Sequence, residues 1–285
     1  MAKSPIIYNG KKAKLIPQIS PLYPNTIENY YEPFCGGASI FFDLFSQQII
    51  NGDYYLSDLN WRVLRIYEVI RDDLSGLNAV LQSFLQYDPE LLFYTLRKIK
   101  DAPDQKNRPA PAGFKVPFNP SKTWLAAKDL FLNRMTTNGW RENKSGQFNL
   151  PYDKRRTSGY FYQATNLADC NKVFSDPRVH IKVEDYLKIE PRLVSGDFVY
   201  LDPPYEPASS TANFTSYTCN AFGQQEQRQL ADFLNRIDAK GVKFVLSNSL
   251  AASSLYTNPR FNIKQIQVRA YKSNSPPRFE ILVNN

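Results

Sequence analysis

The spacing of apolar and polar positions predicts strands alternating with helices at both ends of the chain. Residues 26–34 read as an aromatic, extended stretch, Gly36-Gly37 as a tight turn, and residues 38–45 as an apolar helix. Tyr54-Tyr55-Leu56 reads as a second strand ending at Ser57-Asp58. Val63, Ile66, Tyr67 and Ile70 then fall at i, i+3, i+4 and i+7, on one face of a helix. Short apolar runs recur at residues 179–183, 198–201 and 242–246, as central strands covered on both faces require. Between the last two, Leu230, Phe233, Leu234 and Ile237 mark an amphipathic helix. Residues 261–270 and 279–283 predict an antiparallel hairpin. This order implies an α/β fold with a doubly wound sheet.

The middle of the chain breaks that rhythm. Residues 74–100 read as helical, and residues 102–120 as a loop carrying Pro103, Pro109, Pro111, Pro117 and Pro120. Residues 121–137 predict a helix capped by Ser121. Residues 138–153 predict a hairpin around Asn143-Lys144-Ser145-Gly146. Residues 61–160 therefore read as an insertion into a domain made of residues 1–60 and 161–285.

Composition narrows the class. A chain of 285 residues, 42% hydrophobic and 14% aromatic, can bury a sizeable core and does not read as disordered. No run nears the roughly 18 apolar residues that a membrane span requires, and the start Met1-Ala2-Lys3-Ser4-Pro5 lacks the apolar region of a secretion signal. Cys35, Cys170 and Cys219 are odd in number and far apart, which points to a reducing cytoplasm. The single histidine, His180, rules out a multi-histidine zinc site, and there is no CxxC to replace it, so no metal is expected. His180 lies in the apolar run Val179-His180-Ile181, where a structural place is expected.

Charge adds a partner. The net charge is +8, and residues 97–156 hold 14 Lys/Arg against 5 Asp/Glu, a local +9 that leaves −1 for the remainder. Such a concentration draws polyanions by counterion release, nucleic acid first among them. The alternative is a solvated basic face.

Three motifs carry chemistry. Glu32-Pro33-Phe34-Cys35-Gly36-Gly37-Ala38-Ser39 sits where the first strand meets the first helix, the edge at which α/β proteins bind ligands. It is neither GxGxxG nor a P-loop, and a plain tight turn is the competing reading. Asp58 ends the second strand, where a carboxylate accepts the hydroxyls of a ribose or caps the following helix. Asp202-Pro203-Pro204-Tyr205 follows the strand Phe198-Val199-Tyr200-Leu201. Two successive prolines fix two φ angles and remove two donors, giving a stiff turn. The Asp202 carboxylate and Pro203 carbonyl suit the two N–H groups of an exocyclic amine, and Tyr205 suits stacking on the attached ring.

With these residues the chain resembles the DNA adenine-N6 methyltransferases of the Dam type. The resemblance implies a Rossmann-like sheet with an inserted, mostly helical DNA-recognition domain carrying the hairpin. It implies S-adenosyl-L-methionine as methyl donor and double-stranded DNA as partner, with the target base flipped out. Residue by residue, it implies Tyr8, Lys12, Pro33, Phe34, Gly36, Asp58, Asp185, Tyr186 and Asp202 around the cofactor, with Lys12 near its methionine carboxylate. Asp202, Pro203 and Tyr205 are implied in catalysis. Asn138, Arg141, Asn143 and Lys144 are implied in DNA binding. Departures from the family pattern are Gly10-Lys11-Lys12 in place of Gly-Gly-Lys, Tyr8 where tryptophan is frequent, and a slightly short hairpin after Gly139. A cognate restriction endonuclease is a possible functional partner. Two alternatives stay open here: cytosine-N4 methylation, and a catalytically silent DNA-binding relative.

Overall fold

The computed structural model describes residues 2–8, 10, 12–99, 111–137, 139–143, 147–205, 222–268 and 278–285. Contacts divide the chain into two compact units, Met1–Gly10 with Asn60–Pro177, and Lys11–Leu59 with Arg178–Asn285.

The second unit opens with one helical turn, α1 (Ile16–Ile19), followed by β1 (Tyr30–Glu32), α2 (Ser39–Gln47) and β2 (Tyr54–Asp58). β1 is shorter than the extended stretch expected from residue 26; Ile27 makes only an isolated bridge to Ile50. Among the described residues the first unit then carries α3 (Trp61–Asp72), α4 (Leu74–Phe84), α5 (Pro89–Arg97), α6 (Lys122–Arg134) and α7 (Ala164–Phe174). The chain returns to the second unit with β3 (Val179–Val183), β4 (Phe198–Leu201), α8 (Gln224–Ala239), β5 (Lys243–Ser249), β6 (Asn262–Val268) and β7 (Arg278–Asn284).

The strands form one mixed sheet in the order β3-β2-β1-β4-β5-β7-β6. The first five run parallel, and β7 lies antiparallel between β5 and β6. Both faces of the parallel core are covered, which is why β4 is buried at all four positions. On one face α2 packs its Phe41 ring 5.6 Å from that of Tyr54. On the other, Leu230, Phe233, Leu234 and Ile237 of α8 pack with Tyr31, Leu201, Phe244 and Leu246. β3, expected in the centre, is instead an edge strand, with His180 and Val183 on the surface. Its alternation of apolar and polar residues is that of a half-covered strand. β1 and β4 are neighbours, and the chain leaves them in opposite directions across the sheet. Their carboxyl ends flank the switch point at which open α/β sheets bind ligands.

In the first unit α6 is the central helix, buried from Trp124 to Arg134 and started by the Ser121 hydroxyl, which accepts the Trp124 N–H at 3.1 Å. The helix expected over residues 74–100 breaks in two. Asp88 caps α5 by accepting the Leu91 N–H, with Pro89 at its first position, so the two helices are separately nucleated. The expected hairpin has two antiparallel bridges, Thr136 with Tyr152 and Glu142 with Phe148, without regular strands; residues 144–146 of its turn lie outside the described residues. Residues 111–120 of the proline-rich loop hold no helix or strand, and residues 102–110 lie outside the described residues. Among the described residues no helix is long and apolar enough to cross a membrane.

Candidate active site

β4 delivers Asp202 at the switch point, and Pro203, Pro204 and Tyr205 follow it without the turn expected from the two prolines. The Asp202 side chain keeps 24% of its surface exposed, and its Oδ1 lies 3.2 Å from the Lys12 ammonium, which is 5% exposed. Lys12 donates to Glu280 Oε2 at 3.0 Å and to the Tyr205 hydroxyl. The Tyr205 hydroxyl donates to the same Glu280 oxygen at 2.8 Å and lies 3.2 Å from Ser247 Oγ. Thus the phenol has three partners, and its ring is held in one orientation. Burial pushes the Asp202 carboxyl up to about 6; Lys12 opposes the rise and Glu280 adds to it. Burial works against the charge of Lys12, but Asp202, Tyr200 and Glu280 outweigh it and hold the ammonium protonated.

Behind the corner lies a chain of amides. Gln227 Nε2 donates to the Pro204 carbonyl at 3.1 Å, and Gln227 Oε1 accepts from Asn248 Nδ2 at 2.9 Å. The Pro203 carbonyl takes no hydrogen bond from any described residue. The corner therefore presents two acceptors, Asp202 and the Pro203 carbonyl, beside a fixed aromatic ring.

The glycine-rich loop leaves β1 next door. Gly36 has φ of 40° and Ala38 φ of 50°, the left-handed region in which a side chain is strained and glycine is not. The Gly36 N–H donates to Asp58 Oδ2 at 2.9 Å, and the Cys35 N–H to the Ser57 carbonyl at 3.0 Å, so the loop is tied to the end of β2. Asp58 is not the helix cap: Asn60 caps α3, accepting the Val63 N–H. Glu32 supplies the first turn of α2 from β1, its Oε2 accepting the Phe41 N–H at 2.9 Å and the Tyr30 hydroxyl at 2.8 Å. Burial pushes Glu32 up to about 8 against those two hydrogen bonds.

Pro33 is buried, and Phe34 is half-buried with its ring 5.2 Å from that of Tyr186. The Tyr186 ring also packs on Phe233, and its hydroxyl is buried without a hydrogen-bond partner. Asp185 accepts the Leu187 N–H at 2.9 Å, starting the short 3-10 turn Tyr186–Arg192.

Tyr8 belongs to the first unit. There Asn133, wholly buried on α6, grips its neighbour Ile7: the Ile7 N–H donates to Asn133 Oδ1, and Asn133 Nδ2 donates to the Ile7 carbonyl, each at 2.7 Å. Gly139, with φ of 82°, packs against the same strand of backbone; a Cβ there would lie 2.7 Å from the Ile7 carbonyl oxygen. Arg141 and Asn143 follow on the hairpin. The Arg141 carbonyl accepts the Asn149 N–H at 2.8 Å, and Asn143 Oδ1 accepts the Gln147 N–H at 2.9 Å. Asn138 and Lys144 lie outside the described residues. Part of the basic excess is structural. Arg134 is buried and donates to the Pro5 carbonyl, Lys128 is buried and donates to the Ile99 carbonyl, and Arg155 and Arg156 both pair with Asp153. Among the described residues no cluster of His, Cys, Asp and Glu has the makings of a metal site.

Residues 8–272 match the sequence model of the D12 class N6 adenine-specific DNA methyltransferases. The chain belongs to that family. It is 30% identical over 285 residues to a Type II methyltransferase of Lactococcus lactis subsp. cremoris, covering 98% of this chain and 93% of that one. It is 31% identical over 270 residues to a Type II methyltransferase of Methanocaldococcus jannaschii, covering 90% and 88%. A DNA adenine methylase of Escherichia coli K12 is 26% identical over 278 residues, covering 95% and 90%. A solved precorrin 8w decarboxylase of Methanobacterium thermoautotrophicum aligns over 100% of this chain and 98% of that one at 10% identity and a TM-score of 0.37, too distant to inform the fold. Membership makes this chain an adenine-specific DNA methyltransferase, acting on DNA with a methyl donor, and sets aside the cytosine-N4 alternative.

Sequence reasoning missed Glu280 and Ser247, which hold Tyr205, Gln227, which holds Pro204, and Asn248, which holds Gln227. The available signal was an acid inside an apolar strand, Phe279-Glu280-Ile281-Leu282, where an unpaired carboxylate is costly.

Proposed function

We propose that this methyltransferase takes its methyl group from S-adenosyl-L-methionine and acts on adenine N6 within a short site of double-stranded DNA, the target base turned out of the duplex. The observation that carries this reading is the Asp202–Pro203 pair of acceptors beside a Tyr205 ring fixed by three hydrogen-bond partners. A planar amine offers two N–H donors in the plane of its ring. The Asp202 carboxylate and the Pro203 carbonyl accept them, and Tyr205 stacks on the base. Extrusion costs a few kcal/mol, of which stacking returns about 1–3 kcal/mol.

The residues around the loop fit the donor. Asp58 is a carboxylate at the end of β2, beside the glycine-rich loop, and suits a ribose. Phe34 and Tyr186 offer an aromatic wall with one buried hydroxyl awaiting a partner, and Pro33, Gly36 and Asp185 border it. S-adenosyl-L-methionine supplies a methyl group already activated on a sulfonium. Asp202 and Pro203 orient the amine lone pair. As N6 gains positive charge, the Asp202 carboxylate, partly withdrawn from water, stabilises it. With a pKa of about 6, Asp202 is charged at neutral pH. The three protons of the Lys12 ammonium are matched by Asp202, Glu280 and Tyr205, so we place Lys12 with the corner rather than with a methionine carboxylate.

We assign residues 61–160 to DNA recognition, and residues 1–60 and 161–285 to methyl transfer. Arg141 and Asn143, with Asn138 and Lys144, are candidates for base and phosphate contacts, since Arg suits guanine and Asn suits adenine in the major groove. The Type II names of two relatives support a place beside a cognate restriction endonuclease. Cys35 and Cys170, buried and unpaired, support a reducing cytoplasm.

Transfer of labelled methyl to duplex DNA, with the modified nucleoside identified, tests the reading. Asp202→Ala should lower the rate by about 10²–10³ or more. Equal labelling by variant and wild type would overturn the role given to Asp202.

A further inference from the structure

Resting on the role proposed for Asp202, we infer that Glu280 is a positioning residue whose charge offsets Lys12, so that the carboxylate of Asp202 keeps its full attraction for the methylated amine. An ammonium held by one carboxylate makes a neutral pair. Here Lys12 lies between two, 3.2 Å from Asp202 and 3.0 Å from Glu280, so the group of three carries a net negative charge. Without Glu280 the positive charge of Lys12 would be spent on Asp202, and the corner would meet a developing cation with no net charge of its own.

The placement of Glu280 is specific. It lies on β7, antiparallel to β5, in register with Ser249, so that Ser247 falls diagonally beside it. One of its oxygens, Oε2, faces Lys12, the Tyr205 hydroxyl and Ser247 Oγ together. The other groups facing Asp202 do not substitute for it. Tyr200 on β4 and Tyr205 are neutral at physiological pH, and Glu32 on β1, pushed up to about 8 by burial, is largely protonated there. Glu280 is thus the counter-charge to Lys12, and the raised Asp202 carboxyl agrees with that arrangement.

The pH profile of kcat/KM for methyl transfer separates this role from simple scaffolding. Wild type should lose activity on the acid side as Asp202 takes up a proton, with a limb near pH 6. Glu280→Gln removes a like charge from Asp202 and leaves Lys12 to it alone. The limb should move to lower pH by about one to two units, while the plateau falls by roughly tenfold or more. Glu280→Asp keeps the charge, so its limb should stay at the wild-type position even where its shorter reach lowers the plateau. A limb that stays put in Glu280→Gln, or that moves in Glu280→Asp, overturns the inference. Should Glu280→Gln not fold, the Glu280→Asp limb alone decides. Asp202→Ala in the same series distinguishes the two claims: if it methylates normally, the reading of Asp202 fails first; if it is inactive and the limbs misbehave, only the role of Glu280 fails.

Discussion

Glu32 combines a buried carboxyl group with a fixed structural task, and its protonation has a measurable consequence. Burial pushes its pKa from 4.5 up to about 8 while it supports the first turn of α2. An unfolded chain releases that proton near pH 4.5; the folded protein holds it until about pH 8. Between the two, the folded state carries a proton that the unfolded state has lost. Stability therefore falls as pH rises, by about 1.4 kcal/mol per unit. From about pH 5 to about pH 8 the loss is on the order of 4 kcal/mol. Above that the group is ionised in both states and the slope vanishes. Glu32→Gln keeps an oxygen for the Phe41 N–H and the Tyr30 hydroxyl and has no proton to lose. Urea unfolding of both proteins across pH 5–9, on the order of two points per unit, isolates this group because the other titrating groups are common to both. The variant should gain on wild type steadily up to about pH 8 and run parallel beyond it. Curves parallel throughout would refute the burial argument.

Two further outcomes follow from the geometry. Asp58→Asn retains an acceptor for the Gly36 N–H but turns the other oxygen into a donor, so affinity for S-adenosyl-L-methionine in calorimetric titration should fall about tenfold or more with DNA affinity unchanged; an unchanged dissociation constant would remove Asp58 from the cofactor site. Asn133→Ala leaves the N–H and carbonyl of Ile7 without their buried partners and should destabilise the protein by about 2–4 kcal/mol in urea; a loss below about 0.5 kcal/mol would mean that the grip on Ile7 is dispensable.

Much of this was legible in the chain because local signals and tertiary demands agree. The runs at residues 198–201 and 242–246 are continuous and apolar, and only a strand covered on both faces needs that. Ser121 and the periodic face of α3 announced their helices in the same way. Where the reading erred, the deciding term was either overlooked or distant. Asp88-Pro89 is a helix start in plain view, yet the apolar content on both sides of it suggested one helix. Asp58 and Asn60 are both good caps, and only the loop folding back to offer the Gly36 N–H separates their roles. Glu280 stands 75 positions from Tyr205 and 268 from Lys12, and no spacing rule reaches across an antiparallel register that far away.

Lys12 enters early, the corner at residues 202–205 late, and Glu280 on the last strand of all. These parts come from widely separated stretches of the chain, and the packing of β7 against β5 brings the acid to the other two. Without that packing Lys12 and the Tyr205 phenol keep one another and Asp202 but lack the Glu280 oxygen that both contact. Substitutions that loosen β7 from β5 are therefore expected to reach the corner without touching any residue of it.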